Sequence, residues 1–473
     1  MSDTKRRLDN TLGEILARRK ANGRLRKLSN TPTNFVDFSS NGYLSLSTNL
    51  EIQKSLLSRL QAEVAAPKGS SDGSNNSRKS LLGSGGSRLL DGNSPFAESL
   101  EDKIASFHGA EAALLFTSAY DANTGLLGSV PQPGDVIIYD ELIHASVHEG
   151  MRVSRATKKI PFAHISISEA QRGRTTDTKE SRAISGSKNQ GLGHVLRELA
   201  KDERVSNCKA NVFICVEGLY SMDGDTILLK EIVEIVDRYL PSGNGYIIVD
   251  EAHSVGVFGK DGRGLVCQLG LEDRIWARVL GFGKAIGCAG GVVLCSPVTR
   301  SYLINYAKSL IYTTSMTFTS LASIDVVYDF LISGQSEPLR RYLETLIYYT
   351  HHKLYALYTR LRPDRRTLYV EETTLKSPII PVLTASPRSL AEHCQRFGFM
   401  VRPIVSPTVP AGSERVRVCL RFANTKEQVD ELCDVIEAWV RSRMAEVAPQ
   451  GNTESLKVEE IANVFTKGDK PRL

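Results

Sequence analysis

The chain has 473 residues, 41% of them hydrophobic, with 59 basic and 53 acidic side chains and a net charge of +6. That length allows two or three domain-sized cores, and a mild basic excess with both signs interspersed leaves no footprint for nucleic acid. The eight cysteines are scattered without a CxxC pair, so neither a metal site nor a disulfide framework is expected, and no run approaches the roughly 18–20 apolar residues of a membrane span.

In chain order, Leu8 to Lys27 has helical periodicity with an Arg/Lys face, which predicts a leading helix packed on the body or on a neighbouring subunit. The opening stretch MSDTKRRLDNTLGEILARRK lacks a signal-type apolar core and carries acids, which argues against secretion. An extended segment, DFSSNGYLSLS, is followed by an amphipathic helix over Glu51–Ala66 and the polar loop KGSSDGSNNSRK. Ser94-Pro95 opens a helix with Glu98 and Glu101 near its start, good chemistry for a helix N-terminus. Ala112–Phe116 reads as a strand and Tyr120–Gly128 as the next helix; GDVIIYD and ELIHASVHEG repeat that step.

Residues 169–191 are polar and rich in Ser, Thr, Arg and Gly, and read as a surface insertion outside any site. Then come strand NVFICVEG, helix LLKEIVEIVDRYL and strands YIIVDEAH, RVLGFG and GGVVLCS. This alternation predicts an α/β fold with a mostly parallel, doubly wound sheet. From about residue 317 long helices take over, and a smaller α+β unit holds PIIPVLT, RVRVCLRFAN and TKEQVDELCDVIEAWVRSRM. The expected division is an N-terminal helix and arm (1–50), a major domain (51–316), a C-terminal α+β domain (317–447) and a polar tail (448–473). The tail ends in Pro-Arg-Leu, similar to the Ser-Lys-Leu type of peroxisomal address, so the expected location is peroxisomal or cytoplasmic.

Two stretches carry chemistry. In LGFGKAIGCAGGVVLCS, Lys284 stands among Gly281, Gly283, Gly287, Gly290 and Gly291, ahead of an apolar strand. Glycine admits strained backbone and close approach, and a partly desolvated amine there can form an imine with a carbonyl. Taken alone, the cluster reads more readily as an ordinary surface lysine beside a glycine-rich turn. In GYIIVDEAHSVGVFGKDGRG a short apolar run ends in Asp250, with His253 three residues on, and ligands of open α/β sheets collect at such carboxyl ends. Lys284 and Asp250 are the pair that pyridoxal phosphate requires: an imine-forming lysine, and a carboxylate that keeps the ring nitrogen protonated. A helicase reading of Asp-Glu-Ala-His needs a P-loop, and GxxxxGK[ST] does not occur.

Over about residues 35–440 the chain resembles the α-oxoamine synthase family of fold-type-I pyridoxal-phosphate enzymes. The motifs that carry the likeness are SSNGYLSLS, GSGGSRLLDG, TSAYDAN, DELIHAS, EGLYSMDGD, VDEAHSVGVFGKDGRG, GFGKAIGCAGG, IYTTSM and SPTVPAGSERVRV. The resemblance implies an aspartate-aminotransferase-like transferase, with a three-layer αβα major domain and a smaller C-terminal domain. Such enzymes condense an amino acid with an acyl-CoA and release CO2. The wording GSGGSRLLDGNSPFAESLE and DELIHASVHEGMR is similar to fungal members that use L-alanine and pimeloyl-CoA in biotin biosynthesis.

Carried over residue by residue, the resemblance gives Lys284 the cofactor and the Cα proton, and Asp250 the pyridinium nitrogen. His253 would hydrogen-bond the ring phenol oxygen with Ser221 nearby, and His144 would stack on the ring. Phosphate would sit at the helix N-terminus near Ala119 and Tyr120. Thr313 and Thr314 would reach the phosphate of a partner subunit, which implies a homodimer with shared sites. Arg417, helped by Asn41, would clamp the amino-acid carboxylate, and the N-terminal Arg24 or Arg26 could meet an acyl carboxylate.

Three positions depart from the family pattern. Ala119 stands where glycine is usual, Gly281 where a phosphate-binding threonine is usual, and Ala97 where bacterial members have histidine. Loss of the threonine hydroxyl removes a charge-assisted bond of about 1.5–3 kcal/mol. Rival readings are the same chemistry on another acyl donor, including sphingoid or secondary-metabolite types, a glycine-using synthase, and a non-catalytic subunit that keeps the fold. The last predicts loss of the lysine or the aspartate, and both are present.

Overall fold

A computed structural model of the chain describes residues 3–28, 30, 32–65, 81–167, 189–373 and 376–447. The polar loop at 68–79, most of the 169–191 insertion and the tail from 448 lie outside those residues. The chain enters through α1 (Asp3–Ala21), the short strand β1 (Val36–Asp37) and α2 (Leu50–Ala65). α1 ends at Ala21 and not at Lys27, because Asn22-Gly23 turns the chain and Gly23 takes a left-handed φ of 61°. α3 (Pro95–His108) starts where Ser94-Pro95 predicts. Ser94 Oγ accepts from the Ala97 N–H, a cap of about 1 kcal/mol, and proline fills the first helical turn.

The alternating region runs β2 (Ala112–Phe116), α4 (Ala119–Ser129), β3 (Val136–Asp140), α5 (Ala145–Val153), β4 (Lys158–Phe162) and α6 (Leu192–Leu199). It continues through β5 (Val212–Glu217), α7 (Leu229–Tyr239), β6 (Gly245–Asp250), β7 (Ala277–Gly281), β8 (Gly291–Cys295) and α8 (Pro297–Tyr306). The seven strands order as β2-β8-β7-β6-β5-β3-β4, with β8 antiparallel to both neighbours and every other pairing parallel. β4, KKIPF, has no counterpart among the predicted elements. It is the sheet's edge, where two lysines and Pro161 blunt the strand and erase the apolar run that marks the interior strands.

Alternation along the strands divides the apolar side chains into two cores. Leu115, Ile138, Ile214, Val249 and Val292 point to one face with α2, α3, α7 and the later helices. Leu114, Ile137, Phe213, Ile248 and Val293 point to the other with α4, α5 and α8. A sheet buried on both faces explains why these strands read as continuous apolar runs. The fold is the three-layer α/β arrangement of fold-type-I transferases.

The remaining elements are α9 (Phe318–Ile332), α10 (Glu337–Leu361), β9 (Ile379–Leu383), α11 (Pro387–Arg396), β10 (Phe399–Met400), β11 (Arg402–Ile404), β12 (Arg415–Cys419) and α12 (Lys426–Val447). β11, β12 and β9 form an antiparallel sheet, and β1 pairs in parallel with β10. The N-terminal arm is therefore stitched to the C-terminal layer: Cys419 N–H donates to Phe38 O (2.8 Å) and Phe422 N–H to Tyr43 O (2.7 Å). Among the described residues no helix is long and apolar enough to cross a membrane, and all eight cysteines are free thiols.

Three acids end parallel strands at the same edge of the sheet: Asp140 on β3, Glu217 on β5 and Asp250 on β6. Asp140 is tied down by His164, just past β4, whose Nδ1 lies 2.9 and 3.0 Å from its oxygens, while Nε2 lies 2.9 Å from Asp225. Burial opposes charge on this ring, but the hydrogen bonds and charges of the two aspartates prevail and lift its pKa from 6.5 to about 10. Because the folded value is the higher one, the stabilisation is complete below about pH 6.5 and is lost as pH rises through 10. Denaturant unfolding of wild type and His164→Gln should therefore differ by about 1.5–3 kcal/mol at pH 6, with the gap closing toward pH 10. A gap that stays constant with pH would show that the ring is not held as a cation.

Candidate active site

Lys284 occupies the turn between β7 and β8. That turn is closed by Phe282 N–H to Gly290 O (3.0 Å), Cys288 N–H to Phe282 O (2.9 Å) and Gly287 N–H to Lys284 O (3.0 Å). Two of its glycines are sterically required. Gly281 and Gly291 face each other in register across β7 and β8, and both lie under the start of α4. A Cβ on Gly291 would fall 2.5 Å from Ala119 N; one on Gly281 would fall 2.8 Å from Ala252 Cβ and 3.2 Å from Ala119 Cβ. The absence of those side chains lets the N-terminus of α4 settle on the sheet beside the lysine turn.

At that terminus Ser118 is the cap. Its Oγ accepts from Asp121 N–H (3.0 Å) and its carbonyl from Ala122 N–H (3.0 Å). The N–H groups of Ala119 and Tyr120 are left without an acceptor among the described residues, in a first helical turn whose dipole favours an anion.

The Lys284 amine is held below the ordinary lysine pKa, by burial first; Asp250 and Glu217 oppose that shift and Arg417 adds to it. Asp250, 7% exposed, accepts from Asn123 Nδ2 at 2.7 Å and from Ala252 N–H at 2.9 Å. Its register partner on the next strand is Glu217, 3% exposed. Burial pushes the Glu217 carboxyl far above the usual range and the Asp250 charge adds to this, while Lys284 and the His144 backbone N–H pull it back.

His144 caps α5, with Ser146 Oγ 2.8 Å from its Nδ1. Burial lowers its pKa, Lys284 adds to that, and Asp250 works against it. His253, 5% exposed, has its Nδ1 2.7 Å from Tyr43 OH. Burial, then the positive charges of Lys284 and Arg417, hold it far below the ordinary histidine range.

The N-terminal arm brings the last part. Arg417 on β12 is buried, donates from Nη2 to Asn41 Oδ1 and from Nε to Cys419 Sγ (2.9 Å). Tyr43 OH also lies 3.4 Å from Asn41 Oδ1, so Arg417, Asn41, Tyr43 and His253 form one hydrogen-bonded line.

Lys284, Asp250, His144, His253, Arg417 and Asn41 thus belong to one cluster, with Ala119 and Tyr120 at its edge. Ser221 is half-buried in the turn after β5 and makes no hydrogen bond to His253. Thr313 lines a small cavity with Arg88, Ala97 and Met316, and Thr314 is exposed; neither touches the Lys284 cluster within this chain. Arg24 is exposed and lines a separate cleft of about 450 Å³ with Arg388, Ser386 and Glu414. Sequence reasoning missed Tyr43, Asn123, Ser146, Glu217 and Cys419. Glu217 had a legible signal, since NVFICVE ends in an acid as YIIVD does; the other four sit inside quoted stretches without a chemical mark of their own.

A buried amine of lowered pKa, a carboxylate at the end of a parallel strand beside it and an open helix N-terminus are the three contacts that pyridoxal phosphate requires of a protein, and these residues fit it. Fold and cluster together define a pyridoxal-phosphate-dependent enzyme of fold type I. Residues 33–436 match the family Aminotransferase class I and II, and the chain belongs to that family, in its α-oxoamine synthase branch. It is 48% identical to 8-amino-7-oxononanoate synthase of Emericella nidulans over 443 residues, 93% of this chain and 98% of that one. It is 35% identical to the aminoacyl transferase sphA of Aspergillus fumigatus, over 84% of this chain and 80% of that one. Among solved structures, serine palmitoyltransferase of Sphingomonas wittichii superposes with a TM-score of 0.70 at 21% identity, covering 94% of this chain and 100% of that one, a likeness of fold.

The glycine contacts make two of the three departures from the family pattern, at 119 and 281, direct neighbours. A threonine at 281 meets Ala252 and the Ala119 methyl before its hydroxyl reaches any ligand. Gly281→Thr should therefore lower stability by about 1–3 kcal/mol, read from the denaturant midpoint, and Ala119→Gly in the same chain should recover only part of it. A Gly281→Thr protein as stable as wild type would refute the steric account.

Proposed function

We propose that the protein is an 8-amino-7-oxononanoate synthase, which joins L-alanine to pimeloyl-CoA and releases CoA and CO2. The observation that carries this is the cluster of Lys284, Asp250, His144, His253, Arg417 and Asn41, in a chain nearly half identical to a synthase of that name over almost the whole of both. When bound, pyridoxal phosphate supplies an electron sink for charge that develops at the amino-acid Cα.

The chain's own groups divide the remaining work. Lys284 would hold the cofactor, and its Nζ is placed to take and return the Cα proton of the amino acid; burial lowers its pKa and so raises the share of free amine. Asp250, fixed by Asn123 and Ala252 N–H, would pair with the ring nitrogen. His253, fixed by Tyr43, would hydrogen-bond the ring oxygen, and Ser221 in the turn after β5 is a further candidate for that contact. His144 would lie over the ring, and the α4 N-terminus at Ala119 and Tyr120 would take the phosphate. Arg417, aimed by Asn41 and Cys419, binds the amino-acid carboxylate. Arg24, with Arg388 across its cleft, is the candidate for the far carboxylate of the acyl chain.

A homodimer is part of this reading. Leu8, Leu12, Ile15 and Leu16 line one face of α1 and are 42–59% exposed, and Tyr312, beside Thr313 and Thr314, is 81% exposed. A second copy would cover these groups and bring Thr313 and Thr314 to its neighbour's phosphate site.

Purified protein supplied with pyridoxal phosphate should release CoA from pimeloyl-CoA with L-alanine, and far less with glycine or serine. Lys284→Ala should lower that rate by ~10³-fold or more and abolish the near-visible absorption of cofactor joined to the lysine. Selective turnover of serine with a long-chain acyl-CoA would move the protein to the sphingoid reading. Sedimentation of the full chain should give twice the monomer mass, and a monomer that still turns over would remove the shared-site proposal.

A further inference from the structure

Beneath the cluster three buried polar groups, Asp250, Asn123 and Ser146, form an unbroken line to His144, which is itself partly open to solvent. Asn123 Nδ2 donates to Asp250 Oδ2 (2.7 Å) and to Ser146 Oγ (2.9 Å), and Ser146 Oγ lies 2.8 Å from His144 Nδ1. A carboxylate only accepts, so Asn123 turns its NH2 toward Asp250 and Ser146. The backbone N–H of Ser146 points at Nδ1, at 3.2 Å, and a main-chain amide only donates, so Nδ1 is the acceptor there. The serine hydroxyl, which could otherwise accept a second bond, then gives its own proton to Nδ1. Nδ1 therefore faces two donors, and one of them is a main-chain amide that cannot reverse.

The orientation of Asn123 is over-determined. Asn123 and Ser146 are each 1% exposed, so water is no alternative partner. Asn123 Oδ1 is buried without a hydrogen bond among the described residues. The opposite flip would aim that oxygen at the Asp250 carboxylate, a worse arrangement than leaving it unpaired. Close packing of α5 on α4 sets the reach: a Cβ on Gly150 would fall 2.9 Å from Asn123 O and 2.9 Å from Leu127 Cβ.

We infer that Asn123 and Ser146 are positioning residues that hold His144 as the neutral imidazole with its proton on Nε2. Protonation of Nδ1 would set donor against donor at Ser146 N–H and break the hydroxyl's bond to the ring. Burial and the Lys284 charge act in the same direction, and Asp250 acts against them. The ring then offers a hydrogen-bond donor at Nε2 without carrying a charge, which suits a group lying over a protonated heterocycle, where an imidazolium would be repelled. The inference deepens the reading of His144 as the ring-stacking residue and rests on it for its use, though the tautomer itself depends only on the protein.

The test uses full-length protein without added cofactor, labelled with ¹⁵N-histidine, and long-range ¹H–¹⁵N spectra between about pH 6 and 8. The His144 ring is assigned by the signals missing in His144→Gln. The expected result is one pattern throughout, with Nδ1 unprotonated and Nε2 protonated. Ser146→Ala and Asn123→Leu should each replace it with mixed tautomers and an imidazolium signal toward pH 6, and Ser146→Thr should restore it. Nδ1–H in wild type, imidazolium at pH 7, or a Ser146→Ala spectrum unchanged from wild type would overturn the inference. The wild-type spectrum decides even if a variant fails to fold. An Nε2–H ring in a protein that releases no CoA would keep this inference and remove the proposed reaction instead.

Discussion

The constraint on which the rest of the structure depends is the burial of one lysine amine at the carboxyl edge of the sheet. A desolvated ammonium costs several kcal/mol unless it is paired, and a desolvated amine is the reactive form, so the surroundings must tune the balance and not cancel it. Asp250 and Glu217 pull Lys284 toward charge while burial and Arg417 push it away. Neighbouring strands supply both acids at one register position, which makes the sheet itself the device that sets their spacing. Because the two carboxyls are so close, they do not behave alike. Asp250 is saturated by Asn123 and a backbone N–H, while Glu217 is driven toward its neutral form.

Few of the groups around the amine are left to choose their own orientation. Tyr43 fixes His253, Asn41 and Cys419 fix Arg417, and Ser146 fixes His144. These supporting residues come from the N-terminal arm, β12, and the junction of α4 with α5, three regions far apart in sequence. The pairing of β1 with β10 is what carries Asn41 and Tyr43 to the C-terminal layer, so a two-residue strand has more consequence for the site than its length suggests. Rigid support of this kind is how a site keeps its geometry within the small tolerance that proton transfer needs.

Much of this was legible in the sequence, and what was legible had local causes. Runs such as YIIVD and GVVLC announce buried strands because both faces of the sheet are covered, and Ser94-Pro95 announces a helix start because capping is a matter of adjacent residues. Lys284 and Asp250 stood out because a charged residue at the end of an apolar run is costly without a purpose. Edge strand β4 did not stand out, since half its side chains face solvent and its proline mimics a break. Asn123 and Ser146 were invisible for a different reason. An asparagine in a helix and a serine after a histidine are commonplace, and only the close packing of α4 on α5 turns them into a line between Asp250 and His144.

The departures at 119 and 281 share one small volume beside the lysine turn. Taken position by position, Gly281 is the loss of a phosphate-binding hydroxyl and Ala119 an added methyl in a cradle that prefers none. In the structure they are neighbours: the Ala119 methyl and the Ala252 methyl together fill the space into which a residue-281 side chain would project. What has changed is how one small volume beside the α4 N-terminus is divided, with the methyl now coming from the helix and the gap from the strand. The anion-binding capacity of that terminus lies in main-chain N–H groups, which neither substitution removes. That terminus therefore keeps its main-chain donors and lacks a threonine hydroxyl beside them, and the close seating of α4 on Gly281 and Gly291 is what makes this arrangement sterically self-consistent.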